Sequence, residues 1–310
     1  MTKIAITGSS GLVGSALRQR LESEGHEVVR IIHGDRSNPA AMWDPTGGWI
    51  REGAFDGCDA VVHLAGASIG NGRWTAGRKK KLRESRIEAT RLLVDRIAAM
   101  PVHPGVFVAA SAVGYYGDRG DEQLNEQSPK GGGFLADLVE DWERESLRAK
   151  EFGLRAVALR FGIILAKDGG ALPRMLLPFK FGAGGKLGSG KQWMPWITLE
   201  DIVAVLDRAV LGDLEGVYNA VSPNPARNGE MAKAIGRTLH RPALLPAPKF
   251  ALRLMLGRAA DELLFYSQRV YPTRLIAAGF PFAHPELGEA LASVLGKAEP
   301  AAADASGAAS

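Results

Sequence analysis

The chain has 310 residues, with 38 basic against 34 acidic side chains, a formal net charge of +4 and 46% hydrophobic residues. These values lie near the average of globular domains and exclude a disordered, collagen-like or disulfide-stapled chain. The charge is too small over this length to argue for nucleic acid, and the lone cysteine, Cys58, points to a reducing, cytoplasmic setting.

At roughly 100–200 residues per domain, the length allows one large or two ordinary domains. No apolar run of about 18 residues occurs, so no membrane span is expected. The amino-terminal apolar stretch is broken by Gly and Ser, unlike a signal peptide.

In chain order, residues 4–7 read as a buried strand, and Leu12, Val13, Ala16, Leu17 and Leu21 recur at helical spacing. Residues 27–33 and 60–65 are further strands, and Ile87, Thr90, Leu93, Val94 and Ile97 mark a helix. A strand over 106–110 precedes a helix through Leu135, Leu138, Val139 and Trp142, and 154–165 reads as one more strand. Residues 167–191, rich in Gly and Pro, read as a loop with a short helix. Helices over 199–211 and 228–239 flank a strand over 216–221, and the prolines of 244–248 predict extended chain. The last folded segment is expected at 285–295.

Strands alternating with helices predict an α/β fold with a parallel sheet. Residues 1–165 form the expected first domain and 166–297 a smaller carboxyl-terminal lobe, some of whose segments return to the sheet. The low-complexity residues 298–310 are expected to be a disordered tail.

Gly8, Gly11 and Gly14 stand directly after the first strand and open the first helix. Glycines so placed allow a tight turn and close approach of backbone to a pyrophosphate, which the helix amino end attracts. Strand, turn, helix and second strand follow in order, so a dinucleotide is expected here, with Ser10, Leu12 and Val13 in the same loop. An acid about 20 residues further on favours NAD, and a nearby Arg favours NADP. Asp35 stands beside Arg36, and His33 takes the strand tip, so the reading is NADP over NAD.

The blocks ITGSSGLVG, MWDPTGGWI, CDAVVHLAGASI, RWTAGRKKKLRESRIEATRLL, SAVGYYGDRGDE and SQRVYPTRLIAAGFPFAHPELGEAL carry a resemblance. The chain resembles the extended short-chain dehydrogenase/reductases. More narrowly, it resembles the sugar-nucleotide-epimerase-like NAD(P)-dependent epimerase/dehydratase family with a carboxyl-terminal domain of unknown function.

The resemblance implies a Rossmann doubly wound sheet with helices on both faces, plus a small α+β substrate lobe. It places Leu64, Ala65 and Gly66 along the cofactor, Asp44 towards the adenine and Arg160 near the nicotinamide. Ser111 would hold the reacting oxygen.

One departure matters. The superfamily's acid–base pair, Tyr-x-x-x-Lys, places phenol and ammonium one helical turn apart. The five tyrosines here, at 115, 116, 218, 266 and 271, are followed four residues on by Arg119, Gly120, Ser222, Val270 and Leu275. Alignment from Glu126-x-Ser128-Pro129 puts the pair near Phe134 and Leu138, neither of which titrates. Tyr115 or Tyr116 is then the candidate to assist Ser111.

Two readings follow. One is an NAD(P)-dependent oxidoreductase or epimerase acting on an unidentified small molecule. The other is an NADP(H)-binding protein with little catalysis.

Several features carry less. GGKLGSGKQ resembles a P-loop but lacks the Ser or Thr for magnesium and the preceding strand. Lys186 or Lys191 there, or one or two cations of the run Arg78 to Arg86, could face an anionic ligand. No histidines pair at metal spacing, and no metal, nucleic acid or membrane partner is expected. The chain is read as a monomer or homodimer.

Overall fold

The computed structural model describes residues 1–296. The tail expected at 298–310 lies outside the described residues.

Six parallel strands form the central sheet: β1 (Lys3–Thr7), β2 (Glu27–Ile31), β3 (Ala60–His63), β4 (Val106–Ala112), β5 (Arg155–Phe161) and β6 (Gly216–Ala220). Their order across the sheet is β6-β5-β4-β3-β1-β2. Chain direction in space reverses between β1 and β3, which opens a crevice at their carboxyl ends.

Strand alternation sends neighbouring side chains to opposite faces. Ile4 and Ile6 pack with Leu17 and Leu21 of α1 (Leu12–Ser23) and with Ile202, Val205 and Leu206. Ala5 faces the other side, with Ile31, Trp43, Leu93 and Ile97. The sheet is therefore covered by helices on both faces, as the alternating pattern predicts.

The run 154–165 is not one strand. It breaks at Gly162, where an added Cβ would lie 2.8 Å from the Pro195 carbonyl oxygen. The missing side chain lets the backbone turn out of the sheet, and Ile163–Ala166 pairs in parallel with Trp196–Thr198 instead. The helix around Ile87 also differs: α2 (Ala76–Arg83) and α3 (Ala89–Ala98) are joined through a π-helical turn at Glu84–Glu88.

The second strand ends at Ile31, two residues short of the expected tip. His33 makes only an isolated bridge to Trp43. Ala247 bridges Leu187, so the proline-bearing 244–248 segment lies along the Gly-rich loop. The amphipathic 134–147 stretch forms α4 (Phe134–Leu147) beside β4 and β5.

Candidate functional site

The loop after β1 works only with glycine. Gly8 has φ +70°, and a Cβ there would lie 2.8 Å from the Ala65 backbone nitrogen. A Cβ on Gly14 would fall 2.2 Å from the Gly8 carbonyl oxygen. The first turn of α1 therefore packs flat on the loop. Helix α1 has Gly11 at its N-cap and no side-chain cap, so its leading N–H groups are left for a ligand.

This loop forms one wall of a cavity of about 620 Å³, within the usual range for small-molecule and cofactor sites. Gly8, Ser10, His33, Ala65 and Gly66, all expected from the sequence, line it. Arg30, Trp43 and Thr46 add to one end, and Lys81, Glu84 and Ser85 form the facing wall. Gly11, Leu12, Val13 and Gly14 build the turn behind the lining. Leu64 hangs from Thr7 by a backbone bond of 3.2 Å.

The side chains of Arg36, Asp44 and Arg160 are not on the lining, although Trp43 and Pro45, on either side of Asp44, are. The Arg36 guanidinium lies over the Trp49 ring, 5.6 Å from its centroid. The Asp44 carboxylate accepts from the Thr46 backbone N–H at 2.9 Å and stays 3.8 Å from His33 Nε2. The cation on the lining near the second strand is Arg30, whose Nε donates to Ser9 Oγ at 3.4 Å. Its signal was a charge inside the otherwise apolar run Val28 to Ile32.

His63 lies under the floor, fully buried, its Nδ1 bonded to Thr7 Oγ1 at 2.7 Å. Burial, with the positive charge of Arg86 adding to it, lowers its pKa to about 3, so the imidazole is neutral.

Ser111, Tyr116 and Arg160 meet in a buried network at the ends of β4 and β5. Ser111 Oγ donates to Glu143 Oε1 at 2.5 Å. Arg160 holds the same carboxylate with two bonds of 2.7 Å, from Nε and Nη2. Arg160 Nη1 donates to the Tyr116 hydroxyl at 2.9 Å, which in turn is bonded to Asn219 Oδ1 at 2.7 Å. Burial pushes the Tyr116 phenol up to about 12 against the opposing pull of Arg160.

The three are thus brought together, with their polar atoms spent chiefly on Glu143 and Asn219. Tyr115 is partly exposed, and the Arg160 guanidinium lies 3.5 Å from its ring centroid. Glu143 was missed in the sequence, although it falls on the apolar stripe of α4, four residues after Val139 and eight after Leu135.

Phe134 and Leu138, where the acid–base pair was expected, are apolar contacts. Leu138 is fully buried, and Phe134 meets Trp74 edge-on at 5.3 Å. The P-loop-like segment is structural: an added Cβ on Gly185 would lie 2.1 Å from the Leu245 carbonyl oxygen, and Gln192 is buried.

Residues 4–220 match the NAD dependent epimerase/dehydratase family, and residues 247–294 match a domain of unknown function, DUF1731. The chain belongs to the NAD dependent epimerase/dehydratase family. Within it, the chain is 42% identical over 290 residues to the epimerase family protein ML0860 of Mycobacterium leprae, covering 93% of this chain and 94% of that one.

The crystal structure of human epimerase family protein SDR39U1 (isoform 2) with NADPH is similar, with TM-score 0.83 and 33% identity, covering 95% of this chain and 99% of that one. A UDP-glucose 4-epimerase of Thermus thermophilus with NAD shares the fold at TM-score 0.72 and 17% identity, over 94% of this chain and 98% of that one. The doubly wound fold of the family is the fold described above. Among the described residues no helix is long and apolar enough to cross a membrane.

Proposed function

We propose that this family member is an NADP(H)-dependent oxidoreductase or epimerase acting on a small molecule in a reducing, cytoplasmic setting. The glycine cradle at Gly8 and Gly14, whose space a side chain would fill, carries the cofactor reading. Arg30, and not Arg36, is the guanidinium on the lining at the end of the second strand, where a 2′-phosphate is recognised. The relative solved with NADPH supports the same choice.

A bound nicotinamide supplies or accepts a hydride. The chain's own residues position and enclose. Glu143, Arg160 and Tyr116 lock the strand ends, and Phe134 and Trp74 give an apolar surface nearby. Tyr115, held against Arg160, is the phenol left to exchange a proton with a hydroxyl or carbonyl oxygen.

A second reading, an NADP(H)-binding protein with little catalysis, is favoured by one observation. The Ser111 and Tyr116 hydroxyls are both committed inside the fold.

Titration of NADPH and NADH into wild type, Arg30→Ala and Arg36→Ala tests the cofactor choice. Arg30→Ala is expected to remove most of the preference for NADPH and Arg36→Ala little of it. Equal wild-type affinities would sink the NADP assignment. Oxidation of NADPH with a panel of aldehydes, ketones and nucleotide sugars separates the two readings. Turnover lost in Tyr115→Phe supports the first, and tight binding without turnover supports the second.

A further inference from the structure

Two short strands, Gln123–Leu124 and Arg269–Val270, pair in parallel with Arg269 opposite Gln123. Strand alternation sorts their side chains. Leu124 and Val270 are fully buried and pack with Tyr116. Gln123, Arg269 and Tyr271 therefore share the outer face. A second cavity of about 290 Å³ opens on that side, with no lining residue in common with the glycine-loop cavity. Gln123, Leu124, Asn125, Tyr271, Thr273 and Ile276 line it.

The Arg269 guanidinium stands beside this cavity. It lies 4.6 Å from the Trp193 ring centroid and 5.7 Å from that of Tyr271. Its Nε is shut off from solvent with no hydrogen-bond partner among the described residues. The carboxylates of the neighbourhood are already taken. Asp121 accepts from Arg227 Nη2 at 2.8 Å and from Trp193 Nε1 at 2.7 Å. Glu122 pairs with Arg119, and Glu126 accepts from the Asn219 and Arg274 backbone N–H groups. Among the described residues, no acidic side chain answers the charge of Arg269.

A guanidinium resting on aromatic rings loses water from its faces and keeps its N–H fork at the edge, the part that matches a planar anion. Two features decide which anion. Arg269 brings one uncompensated positive charge, and the Asp121 carboxylate is held nearby on the Trp193 indole. A singly charged carboxylate is therefore favoured over a dianionic phosphate. The cavity lies at the lower edge of the size range for small-molecule sites, and Tyr271 and Ile276 give it apolar walls. Ile276 is 52% exposed, unusual for a large apolar side chain that nothing covers.

We propose that this cleft is a second binding site, for a small organic carboxylate. Its carboxyl group pairs with the Arg269 fork, and its apolar body rests against Tyr271 and Ile276. The site stands whether or not the chain turns over a carbonyl substrate.

The test uses benzoate as probe, with benzamide as its uncharged isostere and phenyl phosphate as the dianion. Binding is followed by the indole N–H resonance of Trp193, assigned by its loss in Trp193→Phe. Wild type, Arg269→Gln and Arg269→Lys are compared, and the melting temperature of each variant reports folding.

Benzoate is expected to shift the Trp193 resonance saturably, and benzamide and phenyl phosphate to bind at least tenfold more weakly. Arg269→Gln should weaken benzoate at least tenfold. Arg269→Lys should recover part of that loss, since it keeps the charge but not the fork. Saturating NADPH should leave the benzoate affinity of wild type within twofold. Benzamide binding as well as benzoate, or unchanged benzoate affinity in Arg269→Gln, would overturn the proposal. So would phenyl phosphate binding more tightly than benzoate, or competition between benzoate and NADPH. A melting temperature that falls in step with affinity in both variants would make Arg269 structural and overturn it as well.

Discussion

The Ser111 hydroxyl donates to the Glu143 carboxylate at 2.5 Å, joining the end of β4 to the middle of α4. The carboxylate is completed by two bonds from Arg160, whose side chain is 4% exposed, so a full ion pair sits inside the protein. Removing one partner of such a pair costs far more than the pair itself contributes. Glu143→Ala is expected to lower unfolding stability by about 3–5 kcal/mol, measured by urea denaturation. Glu143→Leu combined with Arg160→Met should recover much of that loss. A Glu143→Ala protein as stable as wild type would contradict the coupling.

Ser111→Ala removes one hydrogen bond to a charged group, at a cost of about 1.5–3 kcal/mol. Because that hydroxyl is turned to Glu143, NADPH affinity is expected to stay within twofold of wild type. A large loss of affinity without loss of stability would instead put Ser111 on the ligand.

Two buried groups predict opposite pH limbs. The folded His63 has a pKa of about 3 against 6.5 when unfolded. Its contribution is present above pH 6.5 and is lost as pH falls towards 3, when the unfolded chain binds the proton first. The loss is on the order of 5 kcal/mol. His63→Gln should flatten the acid limb of a stability–pH curve. Tyr116, raised to about 12 from 10, contributes stability below pH 10 that is lost as pH rises towards 12, by about 2–3 kcal/mol. Tyr116→Phe should flatten the alkaline limb.

The two helix-side glycines of the fingerprint should respond differently to alanine. At Gly14 the new Cβ meets the Gly8 carbonyl at 2.2 Å, so the loop must move, at a cost of about 1–3 kcal/mol and most of the cofactor affinity. At Gly11 the same contact is 3.3 Å, and a small shift accommodates it. Thermal unfolding and NADPH titration of the two variants check the contrast. Equal effects would mean the loop is not packed as described.

The Cys58 thiol is pushed up to about 11 by burial beneath the sheet. The thiolate is the reactive form. Labelling by a disulfide reagent at neutral pH should be slow in the folded protein and rapid in urea. Fast labelling of the native state would contradict its burial.

The sequence by itself determined the alternating strands and helices, the glycine cradle and the absence of a Tyr-x-x-x-Lys pair. These are local properties: side-chain periodicity, conformational demands of a turn, and residue identity at fixed spacing. Only the tertiary structure decided which polar groups are free.

Arg36 and Arg30 are equally plausible as letters, but one rests on Trp49 and the other lines the cavity. Ser111 and Tyr116 looked available until Glu143, Arg160 and Asn219, distant in sequence, were brought against them. Whether a hydroxyl or guanidinium can meet a ligand depends on the partners the fold places beside it, and spacing along one strand or helix carries no record of them.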